Sequence, residues 1–259
     1  MIGAIADDFT GATDIAVAFR RAGLRVVIHF NGPHDTLLPD HDVTIIALKT
    51  RTIDPAEAVR QSVDAVDWLR SRGARQIFFK YCSTFDSRPE GNIGPVTDAL
   101  VELIGAERAV FVPSSPEHLR TQYMGHLFVD RLLLSDSPMR HHPLTPMTDS
   151  FIPSVLASQT ARAVTLVDHR DVRGGRNRIS ALLDRAVRDD TPYVVLDAIT
   201  DVDLVEIGEA VVFDPLVTGA AGLAGGLGAA IARRLGRSMR RDGDDDPLGD
   251  GPAGSLVGS

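Results

Sequence analysis

Cysteine is nearly absent: Cys82 stands alone in 259 residues, which excludes an internal disulfide. Long apolar runs are missing too, and none approaches the roughly 20 residues that a membrane-spanning helix needs. Positive charge is scarce, with 27 Lys and Arg against 35 Asp and Glu and a formal net charge of −8. That balance offers no global basic footprint for nucleic acid or an anionic membrane, so neither is expected as a partner. The first apolar stretch begins at Ile2 with no charged or long apolar leader before it, and the expected compartment is cytoplasmic. No internal repeat of fixed period is visible. Hydrophobic residues make up 44% of the chain, enough to fill the core of one large α/β domain or two small ones.

The rest of the chain is organised around its opening. Ile2-Gly3-Ala4-Ile5-Ala6 reads as a buried strand, Asp7 to Asp14 as a polar turn freed by Gly11, and Ile15 to Arg21 as a helix closed by Gly23. Strands are expected at 25–30, 43–48, 76–81, 109–112, 164–167 and 193–196. Helices are expected at 94–104, 155–159, 177–188, 202–212 and 219–235. The clearest helix signal is Asp54-Pro55-Ala56-Glu57, an N-cap acid followed by a proline in the first turn and a glutamate, with Val59, Val63, Val66 and Leu69 at helical spacing. Alternating strands and helices predict an α/β fold with a mostly parallel sheet flanked by helices in three layers. Residues 113–150 break the alternation and read as an irregular excursion carrying a short hairpin. The domain is expected to span 1–235, followed by a Gly/Asp/Pro tail over 236–259 of disordered composition.

Polar groups cluster after the strands: Asp7, Asp8, Thr10, Lys49, Arg51, Lys80, Ser83, Asp86, Ser87, Glu117, Arg120, His169 and Asp197. In a parallel sheet the carboxyl ends share one edge, so these groups could converge there. Cations among hydroxyls and carboxylates suit a small, polyhydroxylated, anionic ligand. The bland alternative is that each is an ordinary loop residue. The adjacent Asp7 and Asp8 argue against it, because like charges repel unless a ligand hydroxyl, a cation or a base role relieves them. Asp8-Phe9-Thr10 is similar to part of a phosphatase signature, but Ala6 occupies the position of its nucleophile. Cys82 reads as a small packed thiol. His141-His142 lacks the spacing of a metal site, and no metal ligands are read from the sequence. The glycines at 219, 222, 225, 226 and 228 lack the Lys-Ser/Thr of a phosphate-binding loop and read as close helix packing.

Three stretches together resemble the four-carbon acid sugar kinases, in their 3-oxo-tetronate kinase branch. They are Ile5 to Asp14, Lys80 to Ser87 with Gly91 to Val96, and Met139 to Ser150; Tyr123 to Val129 and Leu216 to Gly219 extend the likeness to about residue 235. The resemblance implies an N-terminal sugar-acid domain, with a C-terminal domain that binds ATP and magnesium. The γ-phosphate would pass to the terminal hydroxyl of a 3-oxo-tetronate. This chain resembles the first domain only, so the ATP site is expected outside it, in a separate nucleotide-binding part. Its substrate would be bound by Asp7, Asp8, Thr10, Lys80, Ser83, Asp86 and Ser87, with Arg140, His142 and Thr145 closing over the carboxylate end and Asp8 orienting or deprotonating the accepting oxygen. A binding module or sensor that keeps the site without transfer is the alternative.

Overall fold

The structure, a computed structural model, describes residues 1–30, 32, 40–85 and 88–237. The expected tail from 238 onward lies outside the described residues, as do most of the loop at 31–41 and the two site candidates Asp86 and Ser87. In chain order the elements begin with β1 (Ile2–Ala6), α1 (Phe9–Arg21), β2 (Val26–Phe30), β3 (Val43–Ala47), α2 (Pro55–Ser71), β4 (Gln76–Lys80), α3 (Ile93–Ile104) and β5 (Ala109–Val112). An antiparallel insertion follows, β6 (Arg120–Tyr123), β7 (His126–Val129) and β8 (Leu132–Leu133). The alternation resumes with α4 (Ile152–Ala157), β9 (Val164–Val167), α5 (His169–Val172), α6 (Gly175–Arg188) and β10 (Tyr193–Leu196). It closes with α7 (Asp201–Ala210), β11 (Leu216–Gly219) and α8 (Ala221–Arg234).

Eight strands form one parallel sheet in the order β2-β3-β1-β4-β11-β5-β10-β9. The strands beside β1 are buried almost throughout, as a sheet covered on both faces requires. Ala12, Ile15, Ala16 and Phe19 of α1 share one core with residues of α6, α7 and α8. Val66 and Leu69 of α2 and Val96 and Leu100 of α3 share the other core with α4. All helical crossovers share one hand, as parallel connections do: those that step toward β9 run over the α2–α3–α4 face, and those that step toward β2 run over the opposite face. Consequently α1 leaves β1 over one face while α3 leaves the adjacent β4 over the other. The crevice between those two strand ends is a topological switch point, the place where open α/β sheets receive ligands.

The parallel α/β architecture agrees with the sequence analysis, and three details correct it. First, α1 starts at Phe9, with Asp8 as its N-cap accepting from Gly11 N at 2.8 Å, so the polar turn shrinks to Asp7-Asp8. Second, β11 lies in the middle of the sheet where no strand was expected; only four residues long, it is enclosed by Pro215 and the start of α8. The Thr218 hydroxyl of β11 donates to Val110 O at 2.6 Å and lies 3.2 Å from Tyr81 Oη, which ties three neighbouring strands together. Third, α5 is a single turn capped by Asp168, too short to carry a hydrophobic period.

The excursion holds the expected hairpin, with Phe128 opposite Leu133, and β6 extends it to three strands. The β6–β7 turn is Met124-Gly125, both at positive φ, the geometry that closes two-residue hairpins. Asp54 caps α2 as predicted, accepting from Ala56 N at 3.0 Å and Glu57 N at 3.3 Å, but Glu57 turns outward to Arg60. Three of the four glycines of α8 serve close packing: a Cβ on Gly226 would overlap Leu204 O, one on Gly222 would press on Ser114 O at 2.5 Å and one on Gly228 on Ala22 at 2.9 Å, whereas a Cβ on Gly225 would meet nothing within 4 Å.

Candidate functional site

At the switch point β1 delivers Asp7 and Asp8, β4 delivers Lys80 as its last residue, and the turn after β3 delivers Arg51. Parallel pairing sets this arrangement, because Ala6 is in register with both Ala47 and Lys80. The Asp7 backbone tightens it: its N–H donates to Lys80 O at 3.1 Å, and its carbonyl accepts from Thr50 N at 2.9 Å and Arg51 N at 3.3 Å. Arg51 forks onto Asp7, with Nε 2.9 Å from Oδ2 and Nη2 2.8 Å from Oδ1. The same Nη2 stands 2.8 Å from Asp8 Oδ1, and Lys80 Nζ stands 3.4 Å from that oxygen and 3.8 Å from Asp7 Oδ1.

The two carboxylates therefore differ. Asp7 is buried and both its oxygens are taken by Arg51, so it fixes the guanidinium. Asp8 directs Oδ1 to Gly11 N, Arg51 and Lys80, while its Oδ2 has no partner among the described residues. Burial opposes the charge on Asp8, but Lys80, Arg51 and the Gly11 N–H outweigh it and hold the carboxyl below the usual aspartate value. Burial also opposes the Arg51 cation, and the hydrogen bonds and charge of Asp7 more than offset that, raising its pKa above the ordinary value. Asp8 is thus an ionised acceptor with one open oxygen, better suited to orient a hydroxyl than to hold a proton near neutral pH.

Arg51 also lines a cavity of about 300 Å³ with Arg88, Asn92, Leu144 and Thr145. Thr145 is buried, and its hydroxyl and N–H meet His142 Nδ1 at 2.9 and 3.1 Å. Arg88 Nη1 donates to Leu144 O at 2.9 Å, so the 88–92 and 142–145 segments form one wall. A larger groove of about 390 Å³ lies between α1, α7 and α8, but apolar residues such as Val17, Ala18, Leu204 and Ala229 dominate its lining. The convergent charges are at the switch point.

Of the residues singled out from the sequence, Asp7, Asp8 and Lys80 meet in one cluster, and Thr145 and His142 reach the neighbouring wall. Thr10 is an exposed residue in the first turn of α1, and Ser83 is half-buried in the turn after β4. Arg140 is exposed, donates to Ser135 O at 3.0 Å, and does not line the cavity. Glu117 pairs with Arg21 at 2.7 Å. Lys49 lies over the Phe9 ring, 4.6 Å from its centroid. Cys82 Sγ is 2.6 Å from Thr84 Oγ1, in keeping with a packed thiol. Asp197 is fully buried and accepts from Gln122 Nε2, Gly125 N and His169 N, which makes it an anchor for the insertion. Arg51 and Asn92 are the residues the sequence analysis undervalued. The one available signal was a strand-following arginine opposite an Asp-Asp pair.

Fold and site together define an α/β protein with a charged crevice at the switch point of a parallel sheet. The chain belongs to the family described as the sugar-binding N-terminal domain, whose model matches residues 2–227. It is 44% identical to a 3-oxo-tetronate kinase of Burkholderia multivorans over all of this chain and 60% of that protein. It is 45% identical to a 3-oxo-tetronate kinase of Escherichia coli K12, over 93% of this chain and 62% of that protein. A crystal structure from Salmonella typhimurium LT2 superposes with a TM-score of 0.88 at 43% identity, covering 90% of this chain and 56% of that one. The chain therefore spans about three-fifths of the length of these relatives. Among the described residues no helix is long and apolar enough to cross a membrane.

Proposed function

We propose that this chain is the sugar-acid-binding part of a four-carbon acid sugar kinase that phosphorylates the terminal hydroxyl of a 3-oxo-tetronate in the cytoplasm. The observation that carries the reading is Asp8, ionised and with Oδ2 open, beside two cations at the switch point. Asp8 Oδ2 accepts the hydrogen bond of the reacting hydroxyl and fixes its oxygen; Lys80 and Arg51 balance the two carboxylates, so an anionic sugar acid meets no net repulsion. The Thr145–His142 pair and Arg88 form the wall toward the carboxylate end, with Arg88 in the role expected of Arg140. Residues 1–235 act as one substrate domain, Thr10 and Ser83 remain candidates for its rim, and Asp86 and Ser87 remain candidates for binding the substrate.

ATP and magnesium are implied by the kinase names of the relatives. The described residues do not fit either group: no cluster of three or more His, Cys, Asp or Glu is arranged to hold a metal ion, and of the α8 glycines Gly226 is used against α7, Gly222 against the β5 loop and Gly228 against Phe19 and Ala22. A separate nucleotide-binding part is the proposed partner.

A thermal-shift screen of four-carbon acids, the two 3-oxo-tetronate enantiomers beside the erythronates and threonates, with and without Mg-ATP, tests the reading. At least one tetronate should raise the melting temperature, by an amount that grows with the logarithm of ligand concentration over Kd, and Mg-ATP alone should not. If no tetronate does so, the reading is wrong. A tetronate shift without phosphorylation, even when the remaining portion of a relative is supplied, favours the sensor reading instead.

A further inference from the structure

Arg51 sits on a turn between β3 and α2, and a fork as exact as its grip on Asp7 requires that turn to be held from outside. Asn92 supplies the hold. It occupies the N-cap position of α3 but makes no side-chain bond to its own helix. Its Nδ2 turns instead to the neighbouring turn, 2.6 Å from Thr50 O, 3.0 Å from Ile53 O and 3.4 Å from Arg51 O. Three carbonyl oxygens around one nitrogen fix the amide orientation, since the flipped form would set oxygen against oxygen. Asn92 Oδ1 is buried and has no hydrogen-bond partner among the described residues, so nothing competes for that orientation.

Asn92 is itself braced. Gln159 accepts from Gly94 N at 3.0 Å and donates to Arg88 O at 2.8 Å, which pins both sides of the 88–94 segment. The path runs from α4 through Gln159 and Asn92 to the carbonyls flanking Arg51, and from Arg51 to the oxygens of Asp7 and Asp8. Asn92 is 7% exposed, so solvent does not replace its donor.

We propose that Asn92 is a positioning residue: by clamping the carbonyls of residues 50, 51 and 53 it sets the Arg51 guanidinium against Asp7 and Asp8 and leaves Asp8 Oδ2 open to a ligand hydroxyl. The ligand part of this inference rests on the sugar-acid reading; the clamp on Arg51 does not. Asn92→Asp is the sharper variant, because it keeps the shape and puts an oxygen where Nδ2 donates. Asn92→Ala removes the donor without adding repulsion and carries the test should the aspartate variant fail to fold.

The Arg51 side-chain Nε–H signal in a nitrogen–proton NMR spectrum, assigned by its disappearance in Arg51→Lys, reports the fork directly. It should be sharp and slow to exchange in the wild type, and broadened or lost in both Asn92 variants while the amides of β1 and β4 stay protected. The tetronate that stabilises the wild type should bind the variants about tenfold more weakly or worse. An unchanged Arg51 Nε–H signal in a folded Asn92 variant overturns the inference. A wild type that binds no tetronate, with the signal still lost in the variants, overturns the sugar-acid reading and keeps the clamp.

Discussion

Gly11 leaves the space that the Lys80 ammonium occupies: a Cβ at position 11 would overlap both Lys80 Nζ and Asp8 Oδ1. Gly11 lies in the first turn of α1 and has no positive φ, so close approach, rather than backbone freedom, calls for glycine here. The helix that Asp8 caps thus leaves its own first turn open to a buried lysine from the next strand.

Gly11→Ala should separate stability from binding. The obstructing atoms are the ends of flexible side chains, so the fold should lose only the ~1–3 kcal/mol typical of overpacking. The displaced ammonium should leave Asp8 less well paired, and tetronate affinity should fall about tenfold or more. Urea denaturation together with titration calorimetry checks both. Equal affinity in wild type and variant would show that the Lys80 position does not matter for the ligand.

The Asp7–Arg51 fork should behave as a buried pair. Asp7 is 6% exposed, and Asp7→Asn leaves the guanidinium without its main counter-charge, which should cost about 3–5 kcal/mol. Arg51→Lys keeps the charge but cannot fork, and should cost less, about 1–3 kcal/mol. Denaturant melts at neutral pH measure each, and a double-mutant cycle should show that the two losses do not add. Fully additive losses would mean that the fork carries no coupling.

The Asp8 shift predicts an acid-side signature. Its folded pKa is lowered, so its contribution is fully present above the ordinary aspartate value near ~3.9 and is lost as pH falls through the folded value. The stability difference between wild type and Asp8→Asn should therefore be flat from about pH 5 to 8 and should change only in the acid range below about pH 4. A change centred near pH 6 or 7 would mean that Asp8 carries a proton close to neutrality, which would suit a base better than an orienting acceptor.

Much of this was legible in the sequence because it is local. The run Ile2 to Ala6, the Asp54 cap and the turn glycines at 23 and 73 each announce themselves over a few residues. The Asp7-Asp8 pair was legible as chemistry for the same reason, since repulsion between neighbours needs relief. What sequence could not show is pairing across the sheet. β11 is four residues between Pro215 and α8, and its place between β4 and β5 is set by Thr218 reaching Tyr81 and Val110. Arg51 and Asn92 are 41 residues apart, and only parallel registration of β3 and β4 against β1 brings their loops together. Arg140, an arginine in a polar stretch, looked as suitable as Arg51 until the fold put it on Ser135 O.

Asp197 shows how a buried charge after a strand can serve architecture instead of a ligand. It is 0% exposed; its Oδ1 takes Gln122 Nε2 at 2.9 Å and Gly125 N at 3.0 Å, and its Oδ2 takes His169 N at 3.0 Å. Burial pushes its carboxyl above the usual value, and these donors pull it back without cancelling that effect. A raised folded pKa means that its contribution is greatest below the unfolded value near ~3.9 and declines as pH rises through the folded one. Even so, removing it at neutral pH strands three donors in a dry site, two of them from the β6–β7 hairpin. Asp197→Ala should cost about 3–5 kcal/mol, and hydrogen exchange should speed up first at residues 122–127, where the hairpin meets β10. A loss under about 1 kcal/mol, with protection unchanged there, would mean that the Gln122 N to Ala198 O bond at 2.9 Å and side-chain packing hold the insertion without the carboxylate.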